Sequence, residues 1–222
     1  MDKFKINGPS KIRGEVSISG SKNAALPILA ATLLFDKNVT IKNLPRVKDI
    51  DTMLNLLKSL GRKITYKNNK KIATISQGKK NNFFAPYSLV KTMRAGILVL
   101  GPLLAKNKKA KVSSPGGCSI GVRPIDIHLK AISKLGVKIQ IEKGYVNAKA
   151  QDGLVGSEIR FSKISVGATE NSILAACLAK GTTKIKNCAI EPEIKDLTNF
   201  LKTAGAKIKW IGKRTLKIEG VK

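Results

Sequence analysis

The sequence has little of several residue types, and each shortage excludes a class of protein. One His and three cysteines, Cys118, Cys177 and Cys188, are too few and too scattered for a disulfide framework or a structural zinc site. Scattered, odd-numbered cysteines favour a reducing cytoplasm. The longest apolar stretches, Ala24–Leu34 and Gly96–Ala105, fall well short of the ~20 residues of a membrane span. We also find no signal peptide, since neither stretch follows a basic region with a cleavage site.

Acidic residues are scarce: 14 Asp and Glu stand against 42 Lys and Arg, a net charge of +28. Such a balance suits a nucleic-acid-binding module, which remains an alternative. Yet only seven of the cations are Arg, the residue that reads phosphate and guanine bidentately, and the lysines are spread evenly. We interpret them as a solvated surface and consider nucleic acid an unlikely partner.

Internal repetition organises the 222 residues, 42% of which are hydrophobic. One sequence pattern occurs three times, at Leu56–Ile64, Ala131–Ile139 and Phe200–Ile208. The copies are about 70 residues apart, which is longer than the period of 20–50 residues in solenoid repeats. The pattern predicts three copies of one α/β unit, and Gly61, Gly136 and Gly205 stand where a helix C-cap takes a positive φ.

Each copy predicts a buried apolar helix, a short strand, an amphipathic helix and a β-hairpin. The buried helices are predicted at 24–34, 90–105 and 169–179, the amphipathic helices at 49–60, 125–135 and 193–204. Three such units indicate pseudo-threefold packing around the buried helices. Residues 1–21 lie outside the repeats and contain strand-like Phe4–Ile6 and Glu15–Ser19.

Several segments at predicted helix starts suit anions. Gly20-Ser21-Lys22-Asn23 combines free N–H groups with a cation and an amide, although a plain N-cap with a solvated Lys explains it too. Lys91–Arg94 places two cations beside a buried segment, where an Arg needs an anionic partner. Lys163–Thr169 supplies main-chain donors and hydroxyls at the third buried helix.

The glycine-rich segment Ser114–Gly121 has the backbone freedom of a mobile lid. Cys118 follows two glycines there, with cations nearby that favour its thiolate, which suits a nucleophile or a proton donor. The alternative interpretation of Cys118 is that it is simply a small residue in a tight turn. Cys177, within an apolar helix, and Cys188 are interpreted as structural.

The next segment, Arg123–His128, opens a helix with Pro124 in its first turn. Arg123 is suited to phosphate, and Asp126 to a sugar hydroxyl or base edge. His128 fits a hydrogen-bonded helix histidine better than a catalyst.

Together these motifs resemble the enolpyruvyl transferases, and among them the UDP-N-acetylglucosamine 1-carboxyvinyltransferases, along the whole chain. The motifs that carry the resemblance are Gly20-Ser21-Lys22-Asn23-Ala24-Ala25-Leu26-Pro27, Lys91-Thr92-Met93-Arg94-Ala95, Pro115-Gly116-Gly117-Cys118, Gly121-Val122-Arg123-Pro124-Ile125-Asp126-Ile127-His128 and Ser165-Val166-Gly167-Ala168-Thr169. The resemblance implies an α/β fold, an inside-out α/β barrel lobe built from three repeats at about 22–80, 88–152 and 163–222. The sister family that acts on shikimate 3-phosphate shares the fold but lacks the Pro-Gly-Gly-Cys loop, and is a further alternative.

The resemblance also implies a reaction without cofactor or metal: the enolpyruvyl group of phosphoenolpyruvate passes to the 3′-hydroxyl of UDP-N-acetylglucosamine, in the first committed step of peptidoglycan synthesis. Lys22 and Asn23 match the phosphoenolpyruvate pair. Cys118 matches the proton donor, which fosfomycin alkylates in relatives that carry Cys. The positions matching the nucleotide-sugar contacts are Arg94, Arg123, Pro124, Ile125, Asp126, Ile127, Lys163, Ile164, Ser165 and Val166.

The chain departs from the family in length. Members are about twice as long, with two lobes and the active site in the cleft between them. We therefore expect a truncated or partial form: one lobe at 22–222, with residues 1–21 belonging to the second lobe, which a separate chain would supply. Alone, it is expected to bind the nucleotide sugar weakly and to turn over little.

Overall fold

The computed structural model describes residues 3–67, 69, 71–78, 82–115 and 125–221. Within them, one α/β unit occurs three times along the chain. The helices are α1 Lys22–Ala31, α2 Lys48–Ser59, α3 Tyr87–Val90, α4 Leu100–Asn107, α5 Asp126–Ser133, α6 Val166–Ala176 and α7 Pro192–Thr203. The strands are β1 Val39–Ile41, β2 Arg62–Lys67, β3 Ile72–Gln77, β4 Phe84–Ala85, β5 Lys109–Ser113, β6 Lys138–Glu142, β7 Tyr145–Lys149, β8 Glu158–Arg160, β9 Thr182–Lys186, β10 Lys207–Gly212 and β11 Thr215–Glu219.

Each repeat builds its own sheet, in the orders β1-β3-β2, β4-β5-β7-β6 and β10-β11-β9-β8. The same three strands are antiparallel in every copy, with registers Val39↔Ile75, Val112↔Val146 and Leu216↔Ile185. Alternate residues of these strands are apolar and buried, so each sheet has one face on the core. The sequence did not predict β4 and β8, which add in parallel to the edges of the second and third sheets.

The helices form the interior around which the three sheets stand. Helices α1, α4 and α6 are largely buried, as their apolar sequences predict. The amphipathic helices continue the threefold pattern, because α5 packs on α6 of the next repeat and α7 packs on α1. Each fully buried Leu or Ile, such as Leu29 and Ile194, contributes about 1.5–3 kcal/mol of transfer free energy.

The three repeat glycines have the backbone conformation that the sequence predicted. Gly61, Gly136 and Gly205 take φ values of 93°, 85° and 98° at the ends of α2, α5 and α7. This left-handed region strains residues with a Cβ, so the glycines let each helix turn sharply into its hairpin.

One predicted helix is wrong as a continuous element. Instead of one helix over 90–105, α3 ends at Val90, a 3-10 helix spans Arg94–Val99, and α4 begins at Leu100. Two residues mark the break. Gly96 lies so close to Val90 that a Cβ would come within 3.1 Å of its side chain, and Pro102 has no N–H to continue the helical ladder.

The strand-like segments near the N-terminus, Phe4–Ile6 and Glu15–Ser19, are not strands in the structure. An extended segment becomes a strand only when a neighbour accepts its backbone hydrogen bonds. Their apolar side chains are exposed; Phe4 is 99% and Ile18 is 84% accessible.

Candidate active site

A cavity of about 350 Å³ lies where the buried segments of the three repeats begin. Helix α1, the 3-10 helix and helix α6 all start at its wall, and α5 and α7 each add a side chain. The lining residues are Asn23, Leu26, Pro27, Arg94, Ala95, Ile97, Leu98, His128, Ser165, Val166, Gly167, Glu170 and Glu193. Residues about 70 positions apart thus share one cavity, because the three repeats pack around a common centre.

The first repeat contributes the N-terminus of α1. The Ser21 hydroxyl accepts a hydrogen bond from the Ala24 N–H at 3.4 Å, so the predicted N-cap is present. Lys22 lies beside it, and its Nζ is 3.0 Å from Asp49 of α2. Pro27 has no N–H to donate to the carbonyl of Asn23, four residues earlier. This end of the helix therefore has unpaired backbone groups, with the amide of Asn23 on the cavity wall and the cation of Lys22 adjoining it.

The third repeat contributes the N-terminus of α6 in the same way. The Ser165 hydroxyl accepts from the Ala168 N–H at 3.3 Å, and the Thr169 hydroxyl donates to the Ser165 carbonyl at 2.8 Å. The positive end of the α6 dipole thus faces the cavity, as does that of α1. Two capped helix N-termini on one cavity form a seat for anionic groups.

The second repeat contributes Arg94 and His128. Arg94 starts the 3-10 helix and is exposed, whereas His128 on α5 is 2% exposed. The pKa of His128 is lowered to about 4, mainly by burial and secondarily by the nearby charge of Arg94, while the charge of Asp126 opposes the shift more weakly. The imidazole is therefore neutral at pH 7.

Two carboxylic acids complete the wall. Glu170, one turn into α6, is 5% exposed, and Glu193 projects from α7. Burial, and secondarily the charge of Glu193, raise the pKa of Glu170 to about 8. Glu170 is therefore mainly protonated at pH 7 and can donate a hydrogen bond there.

The structure brings some predicted site residues together and leaves others apart. Asn23, Arg94, Ser165 and Val166 line the cavity, and Lys22 adjoins it at the start of α1. The other predicted site residues that the structure describes lie outside the cavity. Lys163 and Ile164 are exposed before α6, and Ile125 and Asp126 stand at the start of α5, where Asp126 contacts Lys130 at 3.5 Å. Ile127 lines a separate groove that also includes Arg160.

The three remaining predictions, Cys118, Arg123 and Pro124, fall outside the described residues. The interpretation of the other cysteines agrees with the structure, since Cys177 and Cys188 are buried. Burial raises their pKa values to about 12 and about 11.

Sequence reasoning missed Glu170 and Glu193, and for His128 it preferred a hydrogen-bonded helix histidine to a catalyst. A signal was present for Glu170: it and Asn171 carry a carboxyl and an amide inside a helix whose other positions are apolar, small or hydroxyl-bearing. A polar side chain in a buried helix needs a partner or a function.

Comparison with known proteins decides the family. The model of the family described as EPSP synthase (3-phosphoshikimate 1-carboxyvinyltransferase) matches residues 6–222. The chain belongs to this family. The enolpyruvyl transferase resemblance is thereby confirmed.

Within this EPSP synthase family, similar relatives carry the name UDP-N-acetylglucosamine 1-carboxyvinyltransferase. That of Pelagibacter ubique (strain HTCC1062) is 65% identical over 221 residues, and that of Psychrobacter sp. (strain PRwf-1) is 52% identical over 223 residues. Both comparisons cover 100% of this chain but only 52% and 51% of the relative. The chain thus spans about half the length of the curated relatives it matches.

Solved structures show the same fold. The enolpyruvyl transferase NikO from Streptomyces tendae superposes with a TM-score of 0.82 at 22% identity, over 96% of this chain and 50% of that one. An EPSP synthase from Acinetobacter baumannii gives 0.75 at 19% identity, over 94% and 47%. The predicted α/β enolpyruvyl transferase lobe is confirmed.

In the part of the chain that the structure describes, no helix is long and apolar enough to cross a membrane. Nor does this part contain a group of three His, Cys, Asp or Glu placed to hold a metal ion.

Proposed function

We propose that this chain forms the lobe of an enolpyruvyl transferase that binds UDP-N-acetylglucosamine and phosphoenolpyruvate, at the first committed step of cytoplasmic peptidoglycan synthesis. One observation carries the proposal. Asn23, Arg94 and Ser165, from three different repeats, line one cavity at the N-termini of α1 and α6. Both substrates carry phosphate, which such a cavity suits. The 65% identical relative bears the name of that transferase, whereas nothing comparable supports a nucleic-acid-binding module.

Lys22 and Asn23 are proposed to hold phosphoenolpyruvate. The ion pair of Lys22 with Asp49 is partly exposed, at 47% and 33% of the two side chains. Exposed pairs contribute only about 0–1 kcal/mol, so a phosphate can compete with Asp49 for the ammonium at little cost. Arg94 and the backbone at Ser165 and Val166 are proposed to contact the nucleotide sugar.

The reaction proposed for the complete enzyme has two steps. First, the 3′-hydroxyl oxygen adds to C2 of phosphoenolpyruvate, the hydroxyl passes its proton to a carboxylate base of the second lobe, and C3 gains a proton from Cys118. Then a base takes a proton from C3 as the C–O bond to phosphate breaks, which restores the double bond and releases inorganic phosphate. Protonation by a positioned group accelerates such a step by roughly 10²–10⁴-fold.

The partner proposed for this lobe is a second lobe of the same family, from a separate chain or further sequence. Residues 3–20, with exposed Phe4, Ile6, Val16 and Ile18, are proposed to pair with it. Exposed apolar side chains along an unpaired extended segment favour association with a sheet. The transfer reaction, and any consequence for cell shape and division, belongs to the two-lobed enzyme.

The binding step is tested by thermal unfolding of the chain with UDP-N-acetylglucosamine, shikimate 3-phosphate or a DNA duplex. A ligand at 100 times its Kd stabilises the folded state by about 2.7 kcal/mol, so the melting temperature should rise with the nucleotide sugar. Arg94→Ala should weaken that rise. Arg46→Ala is the matched control, because Arg46 is exposed on the first repeat and donates a hydrogen bond to the hairpin carbonyl of Asn69, away from the cavity.

A rise with shikimate 3-phosphate alone would assign the lobe to the sister activity. Salt-sensitive stabilisation by the duplex, without any effect of the nucleotide sugar, would favour the nucleic-acid alternative. The requirement for a second lobe has its own assay, phosphate release from both substrates. We expect little or none from the 222-residue chain, and turnover at ordinary enzyme rates would refute that requirement.

A further inference from the structure

A buried amide on α6 joins this helix to three other elements. Asn171 of α6 is fully buried at 0% exposure. Its Oδ1 accepts a hydrogen bond from the Gly101 N–H at 2.7 Å, and its Nδ2 donates to the Ile97 carbonyl at 3.0 Å. Nδ2 also lies 3.3 Å from Nδ1 of His128. One side chain therefore contacts the 3-10 helix, α4 and α5 at once.

The side-chain amide of Asn171 replaces one backbone hydrogen bond of an α-helix. Ile97 and Gly101 are four residues apart, so an uninterrupted α-helix would pair the carbonyl of one with the N–H of the other. Asn171 bridges the two groups instead, and Leu100 N–H donates to the Ile97 carbonyl in the 3-10 manner. The approach is close: a Cβ on Gly101 would come within 2.6 Å of Oδ1 of Asn171. Insertion of this side chain accounts for the change from 3-10 to α-helix at residue 100.

The hydrogen bonds fix the orientation of the amide and then the state of the histidine. A backbone N–H is always a donor, so the atom facing Gly101 must be the Asn171 oxygen. The nitrogen then faces His128, where its second hydrogen needs an acceptor. Nδ1 of His128 accepts only when it carries no proton, which in a neutral imidazole places the proton on Nε2.

His128 and Gly167 both line the cavity, and a Cβ added to Gly167 would lie 3.0 Å from Cε1 and 3.3 Å from Nε2 of the ring. The Cε1–Nε2 edge of the ring is therefore the edge next to Gly167 at the cavity wall. We propose that Asn171 is a positioning residue, which holds His128 as the Nε2–H tautomer so that the ring offers a neutral hydrogen-bond donor to an oxygen of the bound ligand. Arg94 and Asp126 are the charged groups that act on this ring, and burial keeps it neutral. The inference goes beyond the proposed function and holds whichever phosphate-bearing ligand occupies the cavity.

The test is direct because His128 is the only histidine in the chain. Two-bond ¹H–¹⁵N correlation spectra of the ¹⁵N-labelled chain at pH 7, without ligand, distinguish a protonated ring nitrogen from a bare one. We expect a single pattern with Nε2 protonated and Nδ1 bare. An Nδ1–H tautomer, a charged ring or an averaged mixture in the unmodified chain would overturn the proposal.

The variant Asn171→Asp tests whether Asn171 is what sets the tautomer of His128. A carboxylate cannot donate to Nδ1, but it can accept from it, so the ring should take a proton on Nδ1 and lose the single Nε2–H pattern. Asn199→Asp makes the same change on an exposed position of α7 and should keep the original pattern. An unchanged ring pattern in a folded Asn171→Asp variant would refute the positioning role. Should that variant not fold, the spectrum of the unmodified chain still decides the tautomer.

Discussion

Replacing Glu170 by Gln should change how the stability of the chain depends on pH. Glu170 is buried, and its pKa in the folded state is about 8, against 4.5 when solvated. Because the folded state holds this proton more tightly, the folded state loses stability as pH rises from about 4.5 to about 8. With 1.36 kcal/mol per pKa unit, linkage gives a loss of about 3–4 kcal/mol between pH 5 and pH 8. Gln is uncharged and does not lose this stability.

The measurement is urea unfolding at pH 5 and pH 8, followed through the fluorescence of Trp210, the only Trp. Relative to the original chain, Glu170→Gln should gain about 3 kcal/mol in unfolding free energy on going from pH 5 to pH 8. His128 has a lowered pKa and acts in the opposite sense, but it is present in both proteins and cancels in the difference. Glu142→Gln, on an exposed strand position, is the control. A stability difference that is equal at both pH values would show that Glu170 is not held protonated by its surroundings.

Two further experiments test other parts of the chain. In the presence of UDP-N-acetylglucosamine, fosfomycin should label Cys118. It should spare Cys177 and Cys188, because burial raises the pKa values of their thiols. Tryptic mass mapping measures the labelling, and equal labelling of all three cysteines would refute the assignment of Cys118. Gly101→Ala should lower the free energy of unfolding by about 1–3 kcal/mol in urea titrations, since the added Cβ would collide with Asn171, and an unchanged midpoint would contradict that close approach.

The elements of the fold follow from local patterns. Apolar residues at helical spacing, alternation in the hairpins and the glycines at 61, 136 and 205 were enough to predict the three repeats. These features depend on residues a few positions apart, which the sequence displays directly. The break between Arg94 and Leu100 escaped prediction because it depends on Asn171, about 70 residues away in the chain.

In the candidate site, too, the residue types could be predicted from the sequence, whereas their arrangement could not. Asn23, Arg94 and Ser165 were selected from the sequence as anion-binding types at helix starts, and family motifs supported them. Their meeting in one cavity depends on how the repeats pack.

What the sequence determined by itself is the set of repeats, their secondary structure and the residue types at each helix start, because periodicity and capping act over one or two turns. What only the tertiary structure decided is the protonation of Glu170 and His128 and the bridging place of Asn171. Those properties arise from desolvation and from hydrogen bonds between distant segments, and neither is written in the order of neighbouring residues.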